Sequence, residues 1–250
     1  MTVIGPRRPT DGRSPLRWRG RVALTSAILL ATGLALTGCG ESAADSGPLN
    51  CSYPSTGDHT RPADKPTNLD VPRTGEVPLQ LRTTAGIIDI TLIRDGAPCA
   101  VHSFVSLLDQ AYFVHTPCHR LTAPPAAIAV LQCGDPTGRG TGGPGYVVED
   151  ELPEGLEKAD SAGSESSAVV YPRGTIALAN RGVADSGGSQ FFLVYQDSAL
   201  PPTYSVLGAV DDASLPVLDA IAAAGNDGSF GSGDGRPVPE VLINAVDVRR

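Results

Sequence analysis

Three short segments of this 250-residue chain carry side chains suited to chemistry. The first is His119-Arg120-Leu121, followed twelve residues after Arg120 by Gln132-Cys133-Gly134-Asp135. The second is Gly140-Thr141-Gly142-Gly143, and the third is Gly188-Ser189-Gln190-Phe191-Phe192, preceded by Ile176-Ala177-Leu178-Ala179-Asn180. None of them offers an activated nucleophile. Ser189 lacks a nucleophile-elbow context, and with four His in the chain no Ser/His/Asp arrangement suggests itself. His115, Cys118, His119 and Cys133 could be read as zinc ligands, since His-x3-His fits one helical turn. Pro117 breaks that turn, so no metal is expected. Arg120 never deprotonates, and its planar fork of donors can serve two neighbouring polar atoms from one position.

Taken together, in order and spacing, the segments resemble the cyclophilin family of peptidyl-prolyl cis-trans isomerases, with its HR-then-QGGD hairpin, GTGG loop, MAN segment and GSQFF strand. The resemblance spans about Val77 to Arg250, and GSQFF with the upstream Ala179-Asn180 is its most specific piece. It implies cofactor-free rotation about X–Pro bonds. Amide resonance opposes that rotation with a barrier of ~18–20 kcal/mol. Twisting the bond returns a lone pair to the prolyl nitrogen, so a donor there stabilises the twisted state more than the planar one. By the resemblance Arg120 is that donor, held by Gln132, and the proline ring enters an apolar pocket floored by Phe192. Phe191 and Phe192 are adjacent on a strand and must point to opposite faces, which leaves Phe191 to the core. The same correspondence places Ala179, Asn180, Gln190, Gly140, Leu200 and Tyr204 around a bound peptide, Asn180 through main-chain hydrogen bonds. His119 is expected to pack under the sheet without acting as a base.

Departures from the family pattern bear on the same site. The interval from Arg120 to Gln132 is four residues longer than usual and contains Ala123-Pro124-Pro125-Ala126-Ala127. A gap placed there puts Ala129 and Val130 where a Phe and a Met normally line the proline pocket. The pocket is then shallower, at a cost of about 1–3 kcal/mol of side-chain burial unless Ile128 or the Pro-Pro loop refills it. Leu200 stands where eukaryotic members carry a Trp that contacts cyclosporin, and Tyr204 where they carry a His, so weak cyclosporin inhibition is expected.

The elements that must position these residues are legible as periodicity. Leu79-Gln80-Leu81 and Ile87 to Ile93 read as a hairpin turned at Gly86. Pro98 opens a helix whose Val101, Phe104, Val105 and Leu108 form one apolar stripe. Short strands follow at Leu121, Ile128–Gln132, Thr175–Ala179, Gln190–Tyr195 and Ser205–Val210. A second helix fits Leu215 to Ala223, stopped by Gly225, and Val241 to Val248 closes the chain. Glu151 to Val169 reads as an exposed loop. These elements, with the resemblance, predict a mainly β fold: a closed eight-stranded antiparallel β-barrel capped by two α-helices.

Composition limits the rest. Apolar residues at 41% and charged ones at 18% suffice for a folded core. The formal charge is −8, but residues 1–38 hold six Arg and one Asp, leaving 13 basic and 26 acidic residues beyond them. A remainder of −13 argues against nucleic acid as a partner. The Arg-rich start and the apolar run Val22 to Leu36 are too short to span a membrane and have the order of a secretory signal peptide, residues 1–38. Leu36-Thr37-Gly38-Cys39 resembles the bacterial lipobox, so Cys39 is the expected acylation site and the expected location is extracytoplasmic, at the cell membrane by a lipid anchor. Residues 39–76, with Pro48, Pro54, Pro62, Pro66 and Pro72, read as the lipidated N-terminus and a disordered tether, and residues 77–250 as the folded domain. Cys51, Cys99, Cys118 and Cys133 remain, an even number in an oxidising compartment. Three connectivities are possible; Cys118 and Cys133 flank a hairpin, which favours Cys118–Cys133 with Cys51–Cys99. The expected partners are Pro-containing segments of unfolded or exported proteins, met by a monomer. The alternative is a peptide-binding or chaperone module on the same fold with little or no turnover.

Overall fold

Alternation of apolar and polar residues lays down the first hairpin. In the computed structural model, which describes residues 47–159 and 167–249, β2 (Glu76–Thr83) pairs with β3 (Gly86–Ile93) from Glu76↔Ile93 to Thr83↔Gly86. Leu79, Leu81, Ile88, Ile90 and Leu92 all face inward and are buried, while Ile87 and Ile93 face out. A strand period of two accounts for both sets.

Helix α1 (Pro98–Asp109) lays Ala100, Val101, Phe104, Leu107 and Leu108 against this sheet. Its first turn has no cap from its own segment. Glu151 supplies one from a distant loop, its carboxylate accepting from the Cys99 amide at 3.0 Å and the Ala100 amide at 2.8 Å. Beneath the helix Phe104 packs against Phe113 and Phe191, with centroids 4.9 and 5.2 Å away.

The remaining elements are β4 (Thr116–Cys118), β5 (Arg120–Thr122), β6 (Val130–Cys133), β7 (Pro144–Tyr146), β8 (Val169–Tyr171), β9 (Thr175–Leu178), β10 (Phe191–Val194), β11 (Ser198–Leu200), β12 (Val206–Val210), α2 (Leu215–Ala224), β13 (Asp234–Gly235) and β14 (Val241–Val248). Ten strands make one antiparallel sheet in the order β13-β5-β6-β10-β9-β12-β3-β2-β14-β4. Among the described residues the fold is mainly β with two α-helices. The expected closed barrel of eight strands is corrected to a curled half-barrel of ten, whose ladder order ends at β13 and β4. The circuit stays open because the two end strands do not pair with each other: among the described residues β13 pairs with β5 and β4 with β14 alone.

The expectation of a disordered tether over 39–76 is corrected for residues 47–76. They form an arm with its own strand, β1 (Ser55–His59), paired with β7 in a small separate sheet. The Cys51 amide donates to Asn68 O at 3.0 Å, and Cys51 is joined to Cys99 at the start of α1. Tyr53 donates to Cys99 O at 3.1 Å and sits 6.0 Å from Tyr146, while Arg61 donates to Tyr112 O at 2.6 Å. An irregular, Pro-rich stretch is thus ordered by contacts far away in the chain. The expected signal segment, residues 1–38, and the expected acylation site Cys39 lie outside the described residues, as do residues 160–166 of the expected loop after Glu151. The two ends of that loop fold back on each other, the Ala159 amide donating to Ala168 O at 3.0 Å. Among the described residues no helix is long and apolar enough to cross a membrane.

Candidate active site

Strands β6, β9 and β10 divide their side chains between two faces. Phe192 lies opposite Gln132 and Ala177, and Val194 opposite Val130. Phe192, Ala177, Val194 and Val130, with Ala179, Leu200 and Tyr171, form an outer apolar cluster, whereas Leu131, Cys133, Phe191, Leu193, Ile176 and Leu178 join the main core. A concavity of about 160 Å³ opens on the outer cluster. Phe192 floors it, Val130, Ala179 and Leu200 add apolar wall, and Arg120, Gln132, Asn180 and Tyr204 form its rim. The predicted residues therefore come together with three exceptions.

The first exception is Ala129, which is corrected. It points to the inner core and its amide donates to Ser198 Oγ at 2.9 Å, while Ile128 lines the slot beside Val130. Residues 128 and 130 share a face because strand side chains alternate. Gln190 and Gly140 are the other two. They line an adjoining concavity of about 150 Å³, which shares Gln132, Ala179 and Asn180 with the slot and has Thr56 of the arm on its wall.

Arg120 faces Gln132 at the start of β5, and the His119 amide just before the strand donates to Gln132 O at 2.9 Å. One residue further back, Cys118 is bonded to Cys133, with Cα atoms 3.9 Å apart. Both sulfurs are consumed by that bond, which removes the zinc alternative. His119 is buried, and burial holds its imidazole below the usual range.

The expectation that Gln132 holds Arg120 is corrected. Gln132 Nε2 donates to Gln190 Oε1 at 2.9 Å, and Gln190 Nε2 passes the chain on to Gly142 O at 3.1 Å. Arg120 is held by Asp234: Nε donates to the two carboxylate oxygens at 2.9 and 3.1 Å, and Nη2 to Oδ2 at 2.7 Å. The hydrogen bond to Asp234 raises the guanidinium pKa further, so the cation is permanent. Nothing local marks Asp234, which is one acid in a glycine-rich loop 114 residues away.

Two polar systems fix the rim. Asp135 is fully buried and accepts from the Thr137 amide and hydroxyl at 2.7 and 2.8 Å and from the amides of Arg139, Gly140 and Thr141. Burial pushes its carboxyl up, but these donors outweigh it and hold the pKa below the ordinary value. On the other side Tyr171, a residue without a sequence signal, stands edge-on to Phe192 and Tyr204, which themselves meet at 5.3 Å. Its hydroxyl lies 3.3 and 3.1 Å from the carbonyls of Pro201 and Tyr204, and burial pushes its pKa up to about 12. Asn180 Nδ2 donates to Thr203 O at 2.9 Å, tying the loop after β9 to the one after β11. Ser189 is buried and its hydroxyl donates to Gly134 O at 2.8 Å, a structural use that leaves no nucleophile at the slot.

The arrangement is a permanent cation beside an aromatic floor, with neither base nor nucleophile. The family described as Cyclophilin type peptidyl-prolyl cis-trans isomerase/CLD matches residues 78–248. The chain is 47% identical over 204 residues to a protein of Mycobacterium tuberculosis named probable peptidyl-prolyl cis-trans isomerase B, covering 79% of this chain and 63% of that one. Its counterpart of the same name in Mycobacterium leprae is 42% identical over 205 residues, covering 79% and 66%. The chain thus spans just under two thirds of the length of these relatives. A crystal structure of a Cryptosporidium parvum cyclophilin type peptidyl-prolyl cis-trans isomerase superposes with a TM-score of 0.56 at 24% identity, covering 70% of this chain and 99% of that one.

Proposed function

Because the chain belongs to the cyclophilin-type peptidyl-prolyl cis-trans isomerase family, we propose that it accelerates isomerisation of X–Pro bonds. The observation that carries the proposal is the presence of the Arg120 guanidinium and the Phe192 ring in one concavity. The proline ring lies on Phe192 between Val130, Ile128 and Leu200. Arg120 donates toward the prolyl nitrogen as the amide twists, an interaction strong in the twisted state and weak in the planar one. No proton changes hands and no cofactor enters. Gln132 and Gln190 steady the rim on the side of the adjoining concavity, and Asn180 presents main-chain groups to an extended substrate.

The site of action in this reading is outside the cytoplasm. Two disulfides support it, since such bonds persist in oxidising compartments. Acylation at Cys39 anchors the chain to the membrane, and the clients are Pro-containing segments of exported or unfolded proteins, met by a monomer.

The test is an NMR exchange or protease-coupled assay on an X–Pro peptide. Arg120→Ala is expected to lower kcat/KM by roughly a hundredfold, the cost of losing a transition-state donor, with the fold retained. A second reading, a peptide-binding module with little turnover, is favoured by the small aliphatic lining at residue 130. Peptide binding to the wild type without accelerated exchange selects it.

A further inference from the structure

Arg120 meets the slot with one edge already spoken for. A guanidinium offers two edges to a planar acceptor, Nε with Nη2 and Nη1 with Nη2. Asp234 takes the first in a bidentate grip at 2.7–3.1 Å. This leaves Nη1 and the outer hydrogen of Nη2 to face a substrate amide. We infer that Asp234 is a positioning residue for the isomerisation, fixing the plane of the guanidinium and selecting the edge that meets the prolyl bond.

A carboxylate can aim a cation only if it is itself held. Asp234 lies on β13, which pairs with β5 at Asp234↔Thr122 and Gly235↔Leu121, so cation and anion stand on neighbouring strands. The turn before it is closed by the Asp234 amide donating to Gly231 O at 3.1 Å and the Phe230 amide donating to Asp234 O at 3.0 Å. The Ala123–Ala127 insertion braces the turn from below. Ala123 N donates to Gly233 O at 2.8 Å, and a Cβ on Gly233, whose φ is +74°, would meet Ala123 O at 2.3 Å and the Ala126 nitrogen at 2.9 Å. Only glycine fits there. The segment that lengthens the Arg120–Gln132 interval thus supports the turn that carries the anion. Side-chain exposures of 35% for Arg120 and 23% for Asp234 leave the pair partly shielded, where bidentate geometry orients more than it stabilises.

This inference rests on the isomerase reading, and a double-mutant cycle separates the two. Exchange rates on an X–Pro peptide are measured for wild type, Arg120→Ala, Asp234→Ala and the double variant, with circular dichroism to confirm the fold. Asp234→Ala is expected to lower kcat/KM about tenfold, mostly in kcat, and to add nothing in the Arg120→Ala background. Asp234→Asn, which keeps one acceptor oxygen, recovers part of the loss. Gly233→Ala displaces the turn and lowers kcat in the same non-additive way, and it carries the test should Asp234→Ala unfold. Full activity of Asp234→Ala, or losses that add in the double variant, overturns the positioning role. An Arg120→Ala protein as active as wild type sinks the isomerase mechanism instead.

Discussion

The two faces of β6, β9 and β10 are built from the same residue types and end in different roles. On the inner face Leu131, Phe191, Leu193 and Ile176 are buried in the main core, where Phe191 meets Phe104 of α1. On the outer face Val130, Phe192, Ala177 and Ala179 are as apolar, and what packs on them is the short β8–β11 pair with Ile128, Leu156, Tyr204 and Val206. What the cover leaves open is the slot. Apolar floor and packed core thus differ by one step along a strand, and by whether a helix lies on top.

Replacing one phenylalanine of the pair should break that comparison most visibly. Phe191→Ala is expected to cost about 3–5 kcal/mol of stability by leaving a cavity in the core. Phe192→Ala should leave the denaturant midpoint closer to wild type and act chiefly by raising KM. Equal stability losses would show that the outer cluster is core after all.

The arm offers the next largest effect. Cys51–Cys99 closes a sequence separation of 48 residues, and converting both cysteines to alanine should lower stability by about 2–5 kcal/mol. If the arm only decorates the domain, Tm will stay within a degree or two.

Filling the slot sharpens the contrast from the other side. Leu200→Trp adds an aromatic wall and is expected to strengthen cyclosporin inhibition about tenfold over a weak wild-type value, a difference of about 1.4 kcal/mol. Wild-type inhibition below about 100 nM would count against the alignment of residues 200 and 204.

The smallest expected effect is in the rim. The folded-state pKa of Asp135 is depressed, so its carboxylate contributes stability that is fully present above the unfolded value of about 4 and is lost as pH falls through the folded one. Glu151 has the opposite sign: burial raises its pKa, so its charged form costs stability as pH rises from the unfolded value through the folded one. Acid titration of unfolding should therefore flatten in Asp135→Asn below pH ~4, and an unchanged slope there would show that its loop donors carry no charge-dependent energy.

Much of this was legible in the sequence. The β2–β3 alternation, the α1 stripe and the continuous apolar run of β10 are local signals, and those elements lie where the periodicity puts them, whereas the short strands β1, β4, β7, β8, β11 and β13 carry too few residues for a period to show. The slot residues followed from a resemblance rather than from spacing, and the resemblance failed where the chain departs from it. Moving a gap by one residue exchanges the faces of Ile128 and Ala129. The arm was misread because proline-rich composition reports what a stretch cannot do alone; its order comes from Cys99, Tyr146 and Tyr112, distant in sequence. Asp234 escaped for the same reason, since a charge pair leaves no periodic trace.

The two sulfur bridges also decide how the molecule carries tension. A pull between the N-terminal side of Cys51 and the end of β14 crosses from Cys51 to Cys99 and later from Cys118 to Cys133. Residues 52–98 and 119–132 hang in covalently closed loops outside that load path. The hairpin that bears Arg120 is consequently shielded from mechanical stretching along the chain, so a tug on the molecule at its ends leaves the guanidinium's own segment slack.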